Sequence, residues 1–180
     1  MQSLCVFCGA SPGTDPGYAQ VARQVGATLA RRGLRLVYGA GKVGLMGELA
    51  DAALAAGGQV LGVIPEFLQE KEVCHRGLTQ LIVTQTMHER KQIMEAHSDG
   101  VLVLPGGYGT LDEFFEILTW KQLHLHRKPI GLLNVRGYYD HLLQHFRKMH
   151  REGFLRDANL DLCLVDDDLE RLLAEMEREM

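Results

Sequence analysis

The residues best suited to chemistry lie in a glycine-rich segment at positions 105–113, with the sequence PGGYGTLDE. Three glycines within four positions let a backbone turn sharply and approach a ligand without interference from a Cβ atom. A helical pattern follows at residues 111–125, so free N–H groups and a positive dipole end make an anion site that suits a phosphate. The segment also fits an ordinary strand-to-helix turn, with Thr110 as N-cap and Glu113 completing a capping box. The loop alone leaves both interpretations open.

A carboxylate follows this turn, and its place bears on the kind of chemistry. A phosphate at the start of the helix would repel Glu113, so a pure binding site would gain by losing it. Cleavage of a glycosidic bond gives a site a reason to keep it, because positive charge develops on the sugar ring. A nearby carboxylate stabilises that charge or orients a water molecule. Glu113 therefore favours a catalytic site over a binding site.

Two cations occupy the start of another helical pattern, at residues 87–96. Thr86 and Glu89 fit a capping box, which places Arg90 and Lys91 in the first turn. Cations there oppose the helix dipole at a cost of a few tenths to about 1 kcal/mol each. Two in succession indicate a nearby anion that offsets the cost, although both side chains could instead extend into solvent. If the strands before this helix and the glycine-rich one are adjacent, the pair faces the phosphate loop across one crevice.

A second glycine-rich segment, at residues 39–47, carries a G-x-G-x-x-G pattern on Gly39, Gly41 and Gly44. It stands between an apolar run and a helical pattern, as a dinucleotide site requires, and Glu66 ends the next strand where a ribose-binding acid would lie. A dehydrogenase that binds a nicotinamide or flavin cofactor is therefore an alternative. The segment is not a Walker A loop, because no G-K-[ST] closes it.

The elements that position these segments alternate along the whole chain. Short apolar runs predict strands near residues 4–8, 34–38, 59–64, 79–84, 100–104, 130–134 and 162–165. Longer patterns predict helices near residues 18–32, 45–56, 87–96, 111–125, 138–152 and 169–179. Residues 65–77 form either a loop over the site or a short helix. We predict an α/β fold: one Rossmann-like, doubly wound domain over residues 1–180, with a mostly parallel sheet of about seven strands covered by helices on both faces. Ligands then bind beyond the carboxyl ends of the strands.

Composition excludes several classes of protein. The net charge of -4 argues against a protein that binds nucleic acid in a groove. No apolar run approaches 18 residues and no secretory signal opens the chain, so we expect a cytoplasmic protein without a membrane span. Cys5 and Cys8 form a C-x-x-C within a predicted strand, where odd spacing sends them to opposite faces and favours ordinary reduced thiols. His141 and His145 lack an evident third ligand, so a solvated face is favoured over a zinc site.

Together these segments resemble the LONELY GUY (LOG) family of cytokinin riboside 5′-monophosphate phosphoribohydrolases, whose members have often been labelled lysine decarboxylase-like. The resemblance spans nearly the whole chain. It rests on the P-G-G-x-G-T-x-x-E motif combined with the upstream Arg90 and Lys91, and it extends to residues 8–11, 39–47, 118–120, 131–135 and 137–139. No recognisable pyridoxal-phosphate lysine motif supports decarboxylation.

The resemblance implies hydrolysis of nucleoside 5′-monophosphates to free base and ribose 5-phosphate, without a cofactor or metal, by a homodimer. It implies that Arg90 and Glu113 are catalytic. The expected substrate-binding residues are Glu72, Lys91, Gly106, Gly107, Tyr108, Gly109, Thr110, Leu111, Asp112 and Thr119, together with Gly39, Gly41, Gly44, Met46 and Ser11. Asp112 stands where many members carry glutamate. The preferred base stays open, and so does the alternative of a non-catalytic nucleotide or cofactor carrier on the same fold.

Overall fold

The sheet is parallel throughout and carries its seven strands in the order β4-β3-β2-β1-β5-β6-β7. This is seen in a computed structural model that describes residues 1–69 and 74–180. The strands are β1 Ser3–Phe7, β2 Arg35–Tyr38, β3 Val60–Pro65, β4 Gln80–Thr84, β5 Gly100–Val103, β6 Ile130–Leu133 and β7 Leu164–Asp166. Each of the predicted strands is present, and the predicted Rossmann-like α/β fold is confirmed.

The six predicted helices are also present, with ends that shift by up to three residues. The helices are α1 Pro16–Arg31, α2 Gly44–Ala55, α3 Met87–Ala96, α4 Tyr108–Gln122, α5 Asp140–Arg151, α6 Asp157–Leu160 and α7 Leu169–Arg178. The sequence did not predict α6 or the 3-10 turn at Val135–Gly137. It left residues 65–77 open between a loop and a short helix, and a 3-10 turn lies at Glu66–Leu68 within that segment. Helical elements of three or four residues are too short to show a helical period. Among the described residues, no helix has the length and apolar character needed to cross a membrane.

Helices cover both faces of the sheet and form two apolar layers. One layer packs α1, α2 and α7 against the sheet, and the other packs α3, α4 and α5. Cys5 contributes to the second layer and Cys8 to the first, so the prediction that they lie on opposite faces is confirmed. Neither thiol forms a disulfide, and burial raises the pKa of both. Ordinary packing therefore explains the C-x-x-C pattern.

The strand order corrects one expectation from the sequence. β4 lies at one edge of the sheet, and β3, β2 and β1 separate it from β5, so the strands before α3 and α4 are not adjacent. Consecutive strands are neighbours in about two-thirds of cases, and this pair is one of the exceptions. Strands β1 to β4 extend the sheet in one direction, and β5 to β7 extend it in the other. The strand order therefore reverses between β1 and β5, and at such a switch point open α/β sheets leave a crevice.

Candidate functional site

A crevice of about 440 Å³ opens where β1, β2 and β5 end. Its volume lies within the range of small-molecule sites, roughly 300–1,000 Å³. The lining residues are Val6, Cys8, Gly9, Ala10, Ser11, Pro12, Gly13, Tyr18, Gly39, Leu45, Met46, Leu68, Met87, Arg90, Pro105, Gly106, Gly107, Gly109, Thr110, Asp112, Glu113 and Tyr138. Loops that follow three different strands thus meet at one cavity, as the rule for open parallel sheets predicts.

Arg90 reaches this crevice from α3 although its side chain is almost completely buried. Its Nε donates to the carbonyl of Val63 in β3 at 3.1 Å. Its Nη2 donates to the carbonyl of Gly39, just beyond β2, at 3.0 Å. These bonds to a charged donor offset part of the cost of burying the guanidinium and hold it in one orientation.

Gly39 is the residue that makes room for this guanidinium. A Cβ atom built on Gly39 would lie 2.0 Å from Nη2 of Arg90, far inside any real contact distance. The first glycine of the second glycine-rich segment thus lets the Arg90 side chain approach the backbone closely. Its placement next to the cation gives the G-x-G-x-x-G pattern a local purpose in this chain.

Lys91 does not accompany Arg90 into the crevice. Its Nζ lies 2.7 Å from Glu116 Oε2 and 3.1 Å from Asp112 Oδ2, so it joins α3 to α4. Partial burial acts to lower the pKa of Lys91, but the hydrogen bonds that it donates to Glu116 and Asp112 raise the pKa above its ordinary value. The sequence predicted an anion that offsets the cost of placing cations at the start of α3. For Lys91, two carboxylates of α4 take that role.

Helix α4 begins earlier than the sequence indicated, and this removes the capping box from the two interpretations of the glycine-rich loop. The N-cap is Gly107, with extended backbone angles, and among the described residues no side chain caps it. Thr110 lies inside the first turn and is buried, so its predicted role as N-cap in a capping box with Glu113 is wrong. Leu111 makes the first helical bond, to the carbonyl of Gly107. The amides from Gly107 to Thr110 are the ones that a helix start turns toward an anion.

Glu113 and Arg90 bring opposite charges to the same crevice. Both line it, and both act on the buried thiol of Cys5. Burial raises the pKa of Cys5, the Glu113 carboxylate raises it further, and the Arg90 guanidinium opposes that rise. Glu113 also adds to the effect of burial in raising the pKa of Cys8, which lines the crevice. An acid, a guanidinium and an open helix start therefore share one cavity.

The crevice brings together most of the predicted site residues, though not all. Ser11, Gly39, Met46, Arg90, Gly106, Gly107, Gly109, Thr110, Asp112 and Glu113 line it. Lys91, Tyr108, Leu111, Thr119, Gly41 and Gly44 do not: the Tyr108 side chain is 94% exposed, Thr119 is exposed on α4, and Leu111 packs on the core. Glu72 lies outside the described residues.

Several lining residues were not predicted as part of the site. Val6, Leu45, Leu68 and Met87 give the crevice an apolar wall, and Tyr18 and Tyr138 add aromatic rings. Val6 follows the ordinary periodicity of its strand, so nothing in the sequence separates it from the core, and Leu68 lies in a segment whose structure the sequence left open. Tyr138 stands in a segment that supported the family resemblance, which is the signal that could have found it.

Comparison with known proteins identifies the family. The family model described as "Possible lysine decarboxylase" matches residues 46–176. The chain is 49% identical to the cytokinin riboside 5′-monophosphate phosphoribohydrolase of Rhodococcoides fascians, over 96% of this chain and 88% of the relative. It is 42% identical to a protein of the same name from Arabidopsis thaliana, over 97% of this chain and 76% of the relative. The chain belongs to the LONELY GUY family.

Solved structures of more distant proteins share the fold of this LONELY GUY family member. The molybdenum cofactor carrier protein of Chlamydomonas reinhardtii superposes with a TM-score of 0.75 at 24% identity, over 98% of this chain and 96% of that one. The molybdenum cofactor binding protein of Rippkaea orientalis gives a TM-score of 0.72 at 23% identity, over 98% and 95% of the two chains. At such identities the likeness concerns the architecture alone.

Proposed function

We propose that this chain hydrolyses the N-glycosidic bond of nucleoside 5′-monophosphates, cytokinin ribotides or AMP, and releases free base and ribose 5-phosphate. The names of its relatives describe a phosphoribohydrolase of this kind. The observation that carries the proposal is that Arg90, Glu113 and the open start of α4 line a single crevice. An anion site, a fixed cation and a carboxylate are the groups that such a reaction needs.

In the proposed complex the 5′-phosphate lies at the amides of Gly107 to Thr110, with the Thr110 hydroxyl nearby. The phosphate then fixes the ribose above the crevice floor. As the bond between the anomeric carbon and the base nitrogen breaks, positive charge develops on the ring, and the Glu113 carboxylate stabilises it or orients the attacking water. That water supplies the hydroxyl of ribose 5-phosphate and the proton that the departing base takes up. Arg90 holds the substrate and offsets charge at the reacting centre.

The remaining predicted contacts follow from this pose or from the family. Ser11, Gly39, Met46, Gly106 and Asp112 line the crevice and are proposed to contact the nucleotide. Tyr108 and Leu111 would act through their backbone, while Gly41 and Gly44 would shape the neighbouring loop. Glu72, Lys91 and Thr119 rest on the family resemblance alone. A homodimer and the absence of a cofactor also rest on the resemblance, whereas a single domain over the whole chain and a cytoplasmic location rest on the sequence pattern.

The proposal is tested by Glu113→Gln, which keeps the size of the side chain and removes its charge. We expect AMP to bind but adenine release to fall about a hundredfold or more, because one preorganised electrostatic group is lost. Glu152→Gln, at the end of α5 and outside the crevice lining, is the matched control and should turn over normally. Chromatography of the released base and calorimetric titration with AMP measure the two effects. Unimpaired adenine release by Glu113→Gln would end the assignment.

The wild-type protein distinguishes the remaining functions. A nucleotide carrier would bind AMP and release no adenine, whereas a dehydrogenase would show a larger thermal shift with NAD than with AMP. A panel of 5′-monophosphates that includes a cytokinin ribotide would then identify the preferred base. The hydrolase proposal expects free base from at least one member of the panel.

A further inference from the structure

Three successive carbonyl groups, the last one before the glycine-rich loop and the first two within it, are each held by a donor from outside the loop. The buried Tyr139 hydroxyl donates to the carbonyl of Leu104 at 2.7 Å. The Gly9 N–H donates to the carbonyl of Pro105 at 3.0 Å. The Tyr138 hydroxyl donates to the carbonyl of Gly106 at 2.6 Å. The loop is thus fixed along its backbone, with two of the donors on consecutive tyrosines.

The bond from Tyr138 has a consequence for the next amide. A trans peptide is planar, so its N–H points opposite to its carbonyl, and fixing the carbonyl of Gly106 fixes the direction of the Gly107 N–H. Gly107 needs such a constraint because a Cβ atom built on it would meet nothing within 4 Å. Two glycines in succession otherwise leave this peptide plane free to rotate. Gly107 is also the N-cap of α4, so its amide belongs to the proposed phosphate site.

Tyr138 is itself delivered by a rigid turn. Its N–H bonds to the carbonyl of Val135 at 3.0 Å, and its ring packs edge to face on Tyr18 and Tyr139, with centroids 5.7 and 4.8 Å apart. The preceding Gly137 has a φ of +71°, which favours glycine at that point of the turn. The turn therefore holds the Tyr138 backbone and ring in place while the hydroxyl reaches Gly106.

We infer that Tyr138 is a positioning residue that aims the Gly107 amide at the 5′-phosphate. The inference rests on the proposed function, because it deepens the role of the same crevice. Tyr138 acts through the Gly106–Gly107 peptide and takes no part in bond cleavage. Its loss should weaken recognition of the phosphate while leaving recognition of the base unchanged.

Tyr139 provides the matched comparison within the same turn. Its hydroxyl holds the carbonyl of Leu104, but the next residue is Pro105, which has no N–H to aim. Tyr139 and the Leu104 that it contacts are 2% and 1% exposed, whereas Tyr138 is 42% exposed, so the lost hydroxyl removes a buried hydrogen bond only at Tyr139. The two Phe substitutions should therefore separate the direction of the Gly107 amide from the stability of the fold.

The experiment compares Tyr138→Phe, Tyr139→Phe and the wild-type protein in initial-rate assays of adenine release from AMP. For Tyr138→Phe we expect the KM for AMP and the inhibition constant of ribose 5-phosphate to rise about tenfold, as for one hydrogen bond to a charged group. The inhibition constant of adenine and kcat should change less than about twofold on the same scale. Tyr139→Phe should lower the melting temperature more than Tyr138→Phe does and leave the ratio of the two inhibition constants near that of the wild type.

Each outcome has a defined meaning. Unchanged inhibition by ribose 5-phosphate in Tyr138→Phe, or an equal loss for ribose 5-phosphate and adenine, overturns the inference. So does an effect of Tyr139→Phe on phosphate recognition as large as that of Tyr138→Phe. If the wild-type protein releases no base from any monophosphate, the proposed function fails. Binding of ribose 5-phosphate by calorimetry then still tests whether Tyr138 aims the amide.

Discussion

At the scale of single residues, the site depends on how a buried cation is held. Arg90 gives two of its donor groups to the backbone carbonyls of Val63 and Gly39. The Val63 carbonyl lies within β3 and the Gly39 carbonyl just beyond β2, so the sheet itself fixes the guanidinium beside the crevice. A flexible surface arginine would lose side-chain entropy on binding substrate, and that cost is avoided here.

Gly39→Ala is predicted to displace the Arg90 guanidinium without removing it. The new methyl would fall 2.0 Å from Nη2, so the guanidinium must move and lose its bond to the Gly39 carbonyl. Base release from AMP should fall about tenfold or more, as for a misplaced electrostatic group. Initial rates of adenine release measure the effect.

A double-mutant cycle provides the control for Gly39→Ala. In an Arg90→Ala background no guanidinium remains to be displaced, so the added Gly39→Ala should cost less than about twofold in rate. Equal losses in both backgrounds would mean that the methyl acts through the loop and not through Arg90.

At the scale of elements, the start of α4 and the partners of α3 determine what the crevice offers. Gly107 begins α4 without a side-chain cap, while Lys91 ties α3 to α4 through Asp112 and Glu116. Glu113 lies between these two carboxylates along α4, so the ion pairs brace the helix on both sides of the proposed catalytic acid. The helix start stays open for an anion while the body of the helix is fixed.

Another link between elements joins the start of β1 to the turn before β5. The Asp99 carboxylate accepts hydrogen bonds from the N–H groups of Gln2 at 2.6 Å and Ser3 at 2.9 Å. Partial burial acts to raise the pKa of Asp99, but these bonds outweigh it and lower the pKa below its ordinary value. Because the folded-state pKa is the lower one, the contribution to stability is present above the unfolded pKa, about 3.9, and is lost as the pH falls through the folded pKa.

Asp99→Asn should therefore destabilise the protein in a pH-dependent manner. At pH 7 we expect a loss of about 1 kcal/mol in the free energy of unfolding, because charge-assisted hydrogen bonds become neutral ones. The gap between wild type and variant should narrow as the pH falls below about 3.9. Urea unfolding across this range measures it, with the exposed Asp161→Asn as control. A gap that is constant with pH would contradict the role of the charge.

At the scale of the whole molecule, stability is concentrated in the middle of the sheet. β1, β2, β3, β5 and β6 lie between neighbours and under helices, whereas β4 and β7 form the edges. Leu102 of β5 is completely buried, and Val165 of β7 is 40% exposed. The crevice is built on the central strands, so its loops extend from the most stable part of the fold.

Truncation of a side chain should cost more free energy of unfolding in the middle of the sheet than at its edge. Leu102→Ala is expected to cost about 2–5 kcal/mol in the free energy of unfolding, because it leaves a cavity in the apolar layer. Val165→Ala should cost less than about 1 kcal/mol, since solvent already reaches the side chain. Chemical denaturation of both variants measures the difference. Similar losses at the two positions would contradict the proposed distribution of stability.

Much of the molecule could be predicted from the sequence because it depends on local pattern. Apolar runs and helical periods located the strands of the sheet and the six longer helices, and the buried, two-sided strands indicated a parallel sheet. The glycine turn at the start of α4 and the cation of α3 could also be predicted from the sequence. Glycine and charge at the start of a helix have local effects on the backbone and the helix dipole, which do not depend on distant residues.

Tertiary structure alone decided which of these features meet, because strand order and side-chain partners depend on packing between distant parts of the chain. β4 and β5 are not neighbours, yet Arg90 reaches the crevice through carbonyls beyond β2 and in β3. Lys91, one residue later, turns to the carboxylates of α4. The tyrosines that hold the glycine loop come from 32 and 35 residues further along the chain. A local period carries no information on such distances, so the geometry of the site emerges only when the sheet assembles.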